Sequence, residues 1–294
     1  MDGIINVLKP VGMTSSDVVM ALKKILKTKK VGHTGTLDPD VSGVLPICVG
    51  KATRLAEYLV RQGKSYKAEI TFGIVTTTQD GSGEVLEENS PKVSQEDFNK
   101  IAPRFLGTIQ QIPPMYSAVR HKGKHLYELA RKGIEVERSP REVEIDRIEL
   151  LEWIPGTFPK GIFEVDCSKG TYIRTLCHDI GQALGCGAHM SHLIRLSSGP
   201  FKIEESIPLD SIKARIGEGD FSFFVPMEQT LDLVRVNLSP ERGEAFRKGL
   251  ATARKQIEGV ENIDESEEVQ VFCEGQFLGI GIWRNQALCP RKVF

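Results

Sequence analysis

The chain has 294 residues, of which 40% are hydrophobic and 26% are charged, and its 38 basic and 39 acidic residues leave a formal net charge of −1. This composition is typical of a globular protein with one large domain, or with a large and a small domain. It excludes a low-complexity chain, and its near-zero net charge argues against a protein that coats nucleic acid non-specifically. No apolar run approaches the roughly 18 residues that a membrane span needs.

The N-terminus and the cysteines indicate a cytoplasmic protein. Asp2 precedes the first apolar stretch and no basic residue does, so this segment does not resemble a signal peptide. None of the six cysteines forms a C-x-x-C pair. Without an export signal we expect reduced, mostly buried thiols.

Strands and helices are predicted in an irregular order along the chain. Residues 4–8 predict a strand that ends at Lys9-Pro10, and the helix that follows can be capped by Ser15 or Ser16. The later predictions are, in order, a Gly- and Thr-rich loop at 32–43, a helix at 52–60, a strand at 66–72, a turn at 80–81, a helix at 94–105, a rigid loop ending as a helix at 113–133, strands at 142–151 and 161–167, and a helix at 171–184.

The composition changes after about residue 226. Residues 228–294 therefore predict a small, strand-rich domain with a helix starting at Ser239-Pro240 and a hairpin that turns at Glu274-Gly275. No regular βαβ rhythm connects the strands and helices, so the predicted class is α+β.

The loop at 32–43 is the strongest candidate for a functional site. Asp38 precedes a proline there, and a short acid before proline commonly forms a turn with its own backbone. The loop also crowds a histidine, threonines and a second aspartate between glycines, which let backbone approach a ligand closely. From the residues alone, Asp38 is equally well a turn residue or a catalytic carboxylate.

Four segments, taken together and in order, resemble the bacterial tRNA pseudouridine-55 synthase family. They are LKPVGMTSSDVV at 8–19, GHTGTLDPDVSGVLPICVGKATRL at 32–55, KSYKAEITFG at 64–73 and KGTYIRTLCHDIG at 169–181. The resemblance covers about residues 3–225 and includes the stretch at 113–133. It implies a mixed-sheet α+β catalytic domain at 1–227 with an RNA-binding insertion at about 108–141. Residues 228–294 resemble, in position and strand pattern, the family's small, mostly β PUA-type RNA-binding domain.

The resemblance implies an isomerase that makes pseudouridine in the T-loop of tRNA. The N1–C1′ bond of the uridine breaks, the base turns, and it is rejoined through C5. No redox change occurs, so we expect no cofactor, and the sequence lacks P-loop and dinucleotide-binding fingerprints. We expect no metal either, because the histidines at 178, 189 and 192 do not form an H-E-x-x-H motif. The expected partner is the T-arm of tRNA, with no membrane, bound by a monomer.

The resemblance assigns three catalytic roles. Asp38 is the catalytic carboxylate, Tyr66 stacks on the extruded base, and Arg174 pairs with Asp38. An arginine beside a carboxylate is expected to lower its pKa and keep it ionised, whereas Asp40 departs from the family pattern and is expected to raise the pKa of Asp38 slightly. From the residues alone, Tyr66 is the first inward residue of its strand and Arg174 a solvated flank of its helix.

Five further residues match substrate-binding positions of the family. They are His33 against the RNA, Tyr172 and Leu193 in the uracil pocket, and Lys9 and Pro10 in the K-P opening. The structural alternatives are a hydrogen-bonded histidine and a turn that ends a strand.

Basic segments mark the predicted RNA path. The first helix and the residues after it carry five lysines, and residues 115–141 carry seven Lys or Arg against three Glu. Such acid-poor segments in a neutral protein indicate phosphate contacts, and we expect residues 115–133 to be mobile until RNA binds. The acidic stretch at 256–268 argues against phosphate binding over the whole C-terminal domain.

Two other functions fit the same residues. One is a tRNA-binding or tRNA-folding protein with secondary or no isomerase activity. The joint presence of Asp38, Tyr66 and Arg174 disfavours a purely binding role, because binding alone needs no buried carboxylate. The other is a hydrolase that cleaves the N-glycosidic bond, which only product analysis separates from an isomerase.

Overall fold

The computed structural model describes residues 1–260 and 262–294. The helices in these residues are α1 (Ser15–Ile25), α2 (Ala56–Arg61), α3 (Gln95–Ile101), α4 (Leu126–Ala130), α5 (Ile173–Ala183), α6 (Leu209–Gly217) and α7 (Pro240–Arg247). The strands are β1 (Gly3–Lys9), β2 (Val31–His33), β3 (Ser42–Val49), β4 (Lys64–Phe72), β5 (Ile74–Thr76), β6 (Val85–Glu88), β7 (Gly107–Gln111), β8 (Arg120–His121), β9 (Lys124–His125), β10 (Arg141–Ile154), β11 (Lys160–Cys167), β12 (Ala188–Ser198), β13 (Phe201–Lys202), β14 (Ile207–Pro208), β15 (Phe224–Val225), β16 (Val234–Leu238), β17 (Thr252–Ala253), β18 (Glu268–Cys273), β19 (Gln276–Arg284) and β20 (Ala287–Val293).

A large mixed sheet organises the chain up to β15. Its strand order is β14-β1-β3-β12-β4-β11-β10-β7, with β2, β13 and β15 paired at its sides, to give 11 strands. Strands β3 and β12 run parallel, whereas β4 runs antiparallel to both of its neighbours. Together with the helices this is the α+β class that the sequence predicts.

Strand β4 lies in the middle of that sheet because its side chains alternate. Tyr66, Ala68 and Ile70 are buried, and Lys67 between them is exposed. This alternation is typical of a strand with one face on the core. Tyr66 lies directly opposite Arg195 of β12, so the register brings residues far apart in sequence to one place.

Helix α5 covers this part of the sheet with its apolar stripe. Leu176, Cys177 and Ile180 are fully buried, and the helix packs against β12. Its C-terminus is closed by Gly185 in the left-handed region at φ +70°, whose N–H donates to the Gln182 carbonyl. The predicted helix and its glycine stop are confirmed, with a start two residues later than expected.

Three predicted helices differ in detail. Helix α1 is capped by Thr14, not by a serine, because Asp17 completes a capping box with it. The stretch at 52–60 begins as a 3₁₀ turn and becomes α-helical at Ala56. The helix within 113–133 has only five residues, Leu126–Ala130, because most of that segment forms turns and the short β8–β9 hairpin.

Strand β12 was not expected from the sequence. Two bulges, between Met190 and His192 and between Arg195 and Ser197, interrupt its alternation of side chains. Its polar residues therefore do not follow the period of two that predicts a strand.

Residues 112–140 project from the sheet between β7 and β10. These strands pair antiparallel, with Gln111 opposite Arg141, so the two ends of the segment lie side by side. We refer to residues 112–140 as the insertion.

A second sheet is formed by the strands from β16 onward. Its order is β16-β18-β19-β20-β17, and its core includes Val271, Trp283 and Phe246. The predicted hairpin turn at Glu274-Gly275 joins β18 to β19 and is confirmed. An apolar cluster that contains Leu55, Tyr58, Leu231 and Ile280 joins this sheet to the 3₁₀ turn and helix α2 of the first part of the chain.

The cysteine thiols are free and mostly buried. Burial raises the pKa of Cys48 to about 12 and that of Cys167 to about 11, whereas Cys186 and Cys289 are half-buried. Among the described residues, no helix is both long and apolar enough to cross a membrane.

Candidate active site

The loop between β2 and β3 holds Asp38 in a fixed place. The Ser15 hydroxyl donates to the Leu37 carbonyl at 3.2 Å and accepts from the Leu37 N–H at 2.9 Å. The fully buried Lys9 ammonium donates to the Pro39 carbonyl at 3.1 Å and to the Pro10 carbonyl at 2.8 Å. Asp38 therefore lies between two residues whose backbone is tied to the core.

Gly43 ends this loop where two strands meet closely. Its φ is +117°, and a Cβ there would lie 2.3 Å from the carbonyl oxygen of Arg195. Only glycine fits such a position without backbone movement. The approach brings the start of β3 against β12 and so fixes the loop relative to the cleft.

Arg174 connects Asp38 to a second carboxylate. Its Nη2 lies 3.2 Å from Oδ2 of Asp38, and its Nη1 lies 3.2 Å from Oδ2 of Asp80. Nη2 also donates to the Tyr116 carbonyl at 2.8 Å. The guanidinium is only 7% exposed, so its direction is set by these partners. The expected proximity of Asp38 and Arg174 is present, and the arginine is not a solvated flank.

Arg174 lowers the pKa of Asp38 and Asp40 raises it, as expected, but the expected net lowering is wrong because the pKa is raised overall. Burial in the cleft raises this pKa, and the negative charges of Asp80 and Asp40 add to the rise, while Arg174 opposes it only in part. The side chain keeps 43% of its surface exposed, so a substrate can reach the carboxyl group.

Tyr66 lies with Asp38 in one cleft. The cleft has a volume of about 260 Å³, and Tyr172, Leu193 and Arg174 also line it. Tyr66 is 8% exposed. Burial raises the pKa of its phenol, and the positive charge of Arg195 opposes that rise only in part. The phenol is therefore neutral near neutral pH.

Tyr172 and Leu193 are positioned by backbone contacts. Tyr172 forms the N-cap of α5, and the buried Gln111 side chain accepts from its N–H at 3.0 Å and donates to its carbonyl at 3.3 Å. Leu193 lies on β12 opposite Ala68 of β4. The structure thus brings five predicted residues to one cleft.

The other three predicted residues lie elsewhere. His33 lines a neighbouring groove that shares Asp38 and Arg174 with the cleft, and burial lowers the pKa of its imidazole. Lys9 and Pro10 line neither space. Lys9 instead binds the loop of Asp38 through the Pro39 carbonyl, and Pro10 is exposed.

Three residues of the cleft and the neighbouring groove gave no clear signal in the sequence. Asp80 was recognised only as part of a turn, although its carboxylate also accepts from the hydroxyls of Thr78 and Ser82. Lys64 and Arg195 line the cleft and are buried. The signal for Lys64 was present: it is a lysine in the inward phase of a strand, two residues before Tyr66.

Family comparisons match most of the chain. The description "TruB family pseudouridylate synthase (N terminal domain)" matches residues 23–173, and "tRNA pseudouridylate synthase B C-terminal domain" matches residues 174–232. A tRNA pseudouridine synthase B of Symbiobacterium thermophilum is 50% identical over 254 residues, which cover 86% of this chain and 84% of that protein. A tRNA pseudouridine synthase B of Heliobacterium mobile is 45% identical and covers 100% of this chain and 95% of its own.

Solved structures show the same fold. A chain from a crystal structure of a Cbf5–Nop10–Gar1 complex superposes with a TM-score of 0.75 and 32% identity over 99% of this chain and 84% of its own. A chain from an H/ACA ribonucleoprotein bound to a substrate RNA containing 2′-deoxyuridine gives a TM-score of 0.74 and 30% identity over the same shares, 99% and 84%. Since the two family matches together cover the segments that hold Asp38, Tyr66 and Arg174, this chain belongs to the TruB family of pseudouridylate synthases.

Proposed function

We propose that this protein converts a uridine in the T-loop of tRNA to pseudouridine, with Asp38 as its catalytic carboxylate. As a tRNA pseudouridine synthase, it is an isomerase. The proposal for Asp38 rests on one observation: its carboxylate forms an ion pair with the buried Arg174 and lies in the same cleft as Tyr66. A carboxylate aligned in this way can act as a nucleophile or assist departure of the base.

The target uridine has to leave its RNA stack to reach Asp38. In this proposal the extruded base stacks on Tyr66, with Tyr172 and Leu193 completing the pocket. Base–aromatic stacking contributes roughly 1–3 kcal/mol per base. Because burial disfavours the Tyr66 phenolate, the proposal gives the ring the stacking role and leaves the hydroxyl as a hydrogen-bond donor.

Arg174 then has two tasks. It directs one oxygen of Asp38, and its positive charge partly offsets the rise of the Asp38 pKa that burial causes. The carboxylate must be ionised to act on the sugar, so the reaction slows as the pH falls through the Asp38 pKa.

The basic surfaces suggest how the RNA lies on the protein. Exposed lysines follow α1, and the insertion carries exposed Arg120, Lys122 and Lys124. Tyr116 and Ser117 of the insertion also reach the groove beside Asp38. We therefore propose that the insertion binds the T-arm over the cleft, with His33 touching the RNA and the PUA-like unit at 228–294 adding contacts. In this proposal the protein acts on tRNA as a monomer in the cytoplasm.

Tritium release tests the function and the role of Asp38 together. Wild-type protein should release tritium from tRNA that carries 5-³H-uridine, because C5 exchanges its hydrogen for the sugar. Asp38→Asn should release none while binding the same tRNA within about threefold of wild type, since the substitution leaves the RNA-binding surfaces intact.

Three outcomes would contradict this proposal. Release by Asp38→Asn at the wild-type rate would remove Asp38 from the chemistry. Free uracil in place of pseudouridine, detected by nucleoside analysis of the product, would favour the hydrolase. Tight binding without release by either protein would favour the tRNA-binding function.

A further inference from the structure

Two buried cations in the cleft have no carboxylate partner within ion-pair distance among the described residues. Lys64 is 8% exposed and Arg195 is 1% exposed. Within the described part of the chain, the Lys64 ammonium donates only to carbonyl groups, those of Val60 at 3.0 Å and Gln62 at 2.5 Å. Arg195 donates to the carbonyls of Val44 at 2.7 Å and Gly35 at 3.4 Å. Both residues line the cleft that contains Asp38.

Such an arrangement is electrostatically unfavourable in the absence of a substrate. Buried charges in proteins are normally paired, because desolvation without a counter-ion is costly. The neighbours of Lys64 add to the cost of its buried charge, because Arg195 and the exposed Lys169 are also cations. Burial and these two charges lower the pKa of Lys64 to about 8. The site therefore favours negative charge placed among these residues.

Both cations lie beside the proposed position of the base. Arg195 is directly opposite Tyr66 in the pairing of β4 with β12. Lys64 precedes Tyr66 by two residues on the same strand, and so it faces the same side of the sheet. A base stacked on Tyr66 would meet both side chains, whereas Lys169 at the exposed rim would not be its nearest cation.

The proposed reaction places negative charge on that base. When the N1–C1′ bond breaks, its electron pair leaves with the uracil, and the charge spreads over N1 and the O2 and O4 carbonyls. The base then turns and forms the C5–C1′ bond, C5 loses its proton, and N1 gains one, so no atom or electron is lost or added. We propose that Lys64 and Arg195 stabilise the negative charge that develops on the uracil, a role that rests on the proposed function above.

The same cations could instead bind a phosphate of the flipped nucleotide. Their burial favours the base, because a phosphodiester remains attached to RNA outside the cleft, and exposed side chains could reach it there. The two hypotheses differ in measurable terms. Phosphate binding changes affinity, whereas preorganised charge stabilisation changes the rate of the chemical step.

The test compares Lys64→Met and Arg195→Met with wild type in single-turnover reactions on tRNA. Each variant should react about 100- to 1,000-fold more slowly, with a dissociation constant for tRNA within about threefold of wild type. Lys67→Met is the matched control. Lys67 lies on the same strand but is exposed on the opposite face, and its replacement should leave the rate unchanged.

A second substrate distinguishes charge stabilisation from a structural defect. Fluorine at C5 of the target uridine withdraws electron density, so 5-fluorouracil leaves as an anion more readily than uracil. The rate loss of each Met variant, followed as glycosidic bond cleavage, should therefore be about tenfold smaller with 5-fluorouridine. Arg195→Lys, which keeps the charge, should retain more activity than Arg195→Met even if the latter is less stable.

An equal loss on both substrates would overturn the inference, and so would a loss confined to the dissociation constant, which would indicate a phosphate contact. These outcomes are separate from failure of the proposed function, which would appear as a wild-type protein that makes no pseudouridine from tRNA.

Discussion

Arg174 is shared between two carboxylates, and only one of them was predictable. Asp38 belongs to a motif, and Arg174 and Tyr66 match short motifs of the same family. Asp80 is 94 positions away from Arg174 in the sequence, and the sequence shows it only as the first residue of the turn at 80–81. Local patterns do not reveal such a contact, because it depends on how the strands of the sheet are ordered.

Replacing Asp80 should affect both the rate and its pH dependence. Without its second anchor, Arg174 would direct Asp38 less well, and we expect Asp80→Asn to slow pseudouridine formation about 10- to 100-fold. The negative charge of Asp80 also raises the pKa of Asp38, so its removal should lower that pKa. The acid limb of the pH–rate profile would then move to lower pH, since Asp38 would stay ionised longer.

Asp40→Asn is the matched control for this prediction. Asp40 also raises the pKa of Asp38 but has no ion pair with Arg174 among the described residues. Its replacement should move the acid limb in the same direction while leaving the plateau rate near wild type. An Asp80→Asn profile identical to that of Asp40→Asn would show that Asp80 does not position the arginine.

At the scale of elements, predictions succeeded where the side-chain period was regular. Strand β4 and helix α5 follow their periods and were placed within a few residues of their observed bounds. Strand β12 was missed because two bulges break its period, and yet it supplies Leu193 and Arg195 to the cleft. The bulges arise from pairing with β4, which a single strand's sequence does not display.

Leu126 is a buried apolar anchor of the insertion. Helix α4 has five residues, too few to be stable alone, but Leu126 is 1% exposed. Backbone bonds from Leu126 to Val119 and from Tyr127 to Ser117 tie the same turn together. Arg174 also donates to the Tyr116 carbonyl, which ties the insertion to the cleft, and mobility of its residues before RNA binds stays a prediction.

Leu126→Ala should release the insertion without unfolding the rest. Loss of a buried leucine costs about 2–5 kcal/mol, and this cost falls on the docking of the insertion. We expect faster proteolytic cleavage within 112–140 and weaker tRNA binding, with a small change in melting temperature. Ile134→Ala, at a 47% exposed position of the same segment, is the control and should be cleaved by the protease at the wild-type rate. Equal cleavage of Leu126→Ala and wild type would show that other contacts hold the insertion.

At the scale of the whole molecule, the second sheet meets the first part of the chain at an apolar junction. Leu55 and Tyr58 come from the first part of the chain, and Leu231 and Ile280 come from the second. The Tyr58 hydroxyl also donates to Glu268 and accepts from Arg291, both at 3.2 Å. The composition change near residue 226 predicted a second unit. It did not identify the junction residues, because their apolar side chains cannot be told from core residues in the sequence.

The junction should make the two sheets unfold together. Ile280→Ala leaves a cavity there and should lower the free energy of unfolding by about 2–5 kcal/mol for both sheets. The chain offers two reporters, because it has two tryptophans, Trp153 on β10 and Trp283 on β19. Fluorescence of Trp153→Phe and Trp283→Phe backgrounds in denaturant would follow each sheet by itself.

Coincident transitions that shift equally with Ile280→Ala are expected. Leu250→Ala, at a position that is 57% exposed, serves as the control and should shift neither transition. A shift confined to the Trp283 signal would show that the second sheet unfolds independently.

The buried cysteines make the molecule well suited to optical labelling. Maleimides react with thiolates, and the raised pKa values of Cys48 and Cys167 leave almost none at neutral pH. With the half-buried Cys186 and Cys289 changed to serine, Lys124→Cys on exposed β9 would offer one accessible dye position. Energy transfer from that dye to an acceptor on tRNA would then follow, molecule by molecule, how the insertion closes over its substrate.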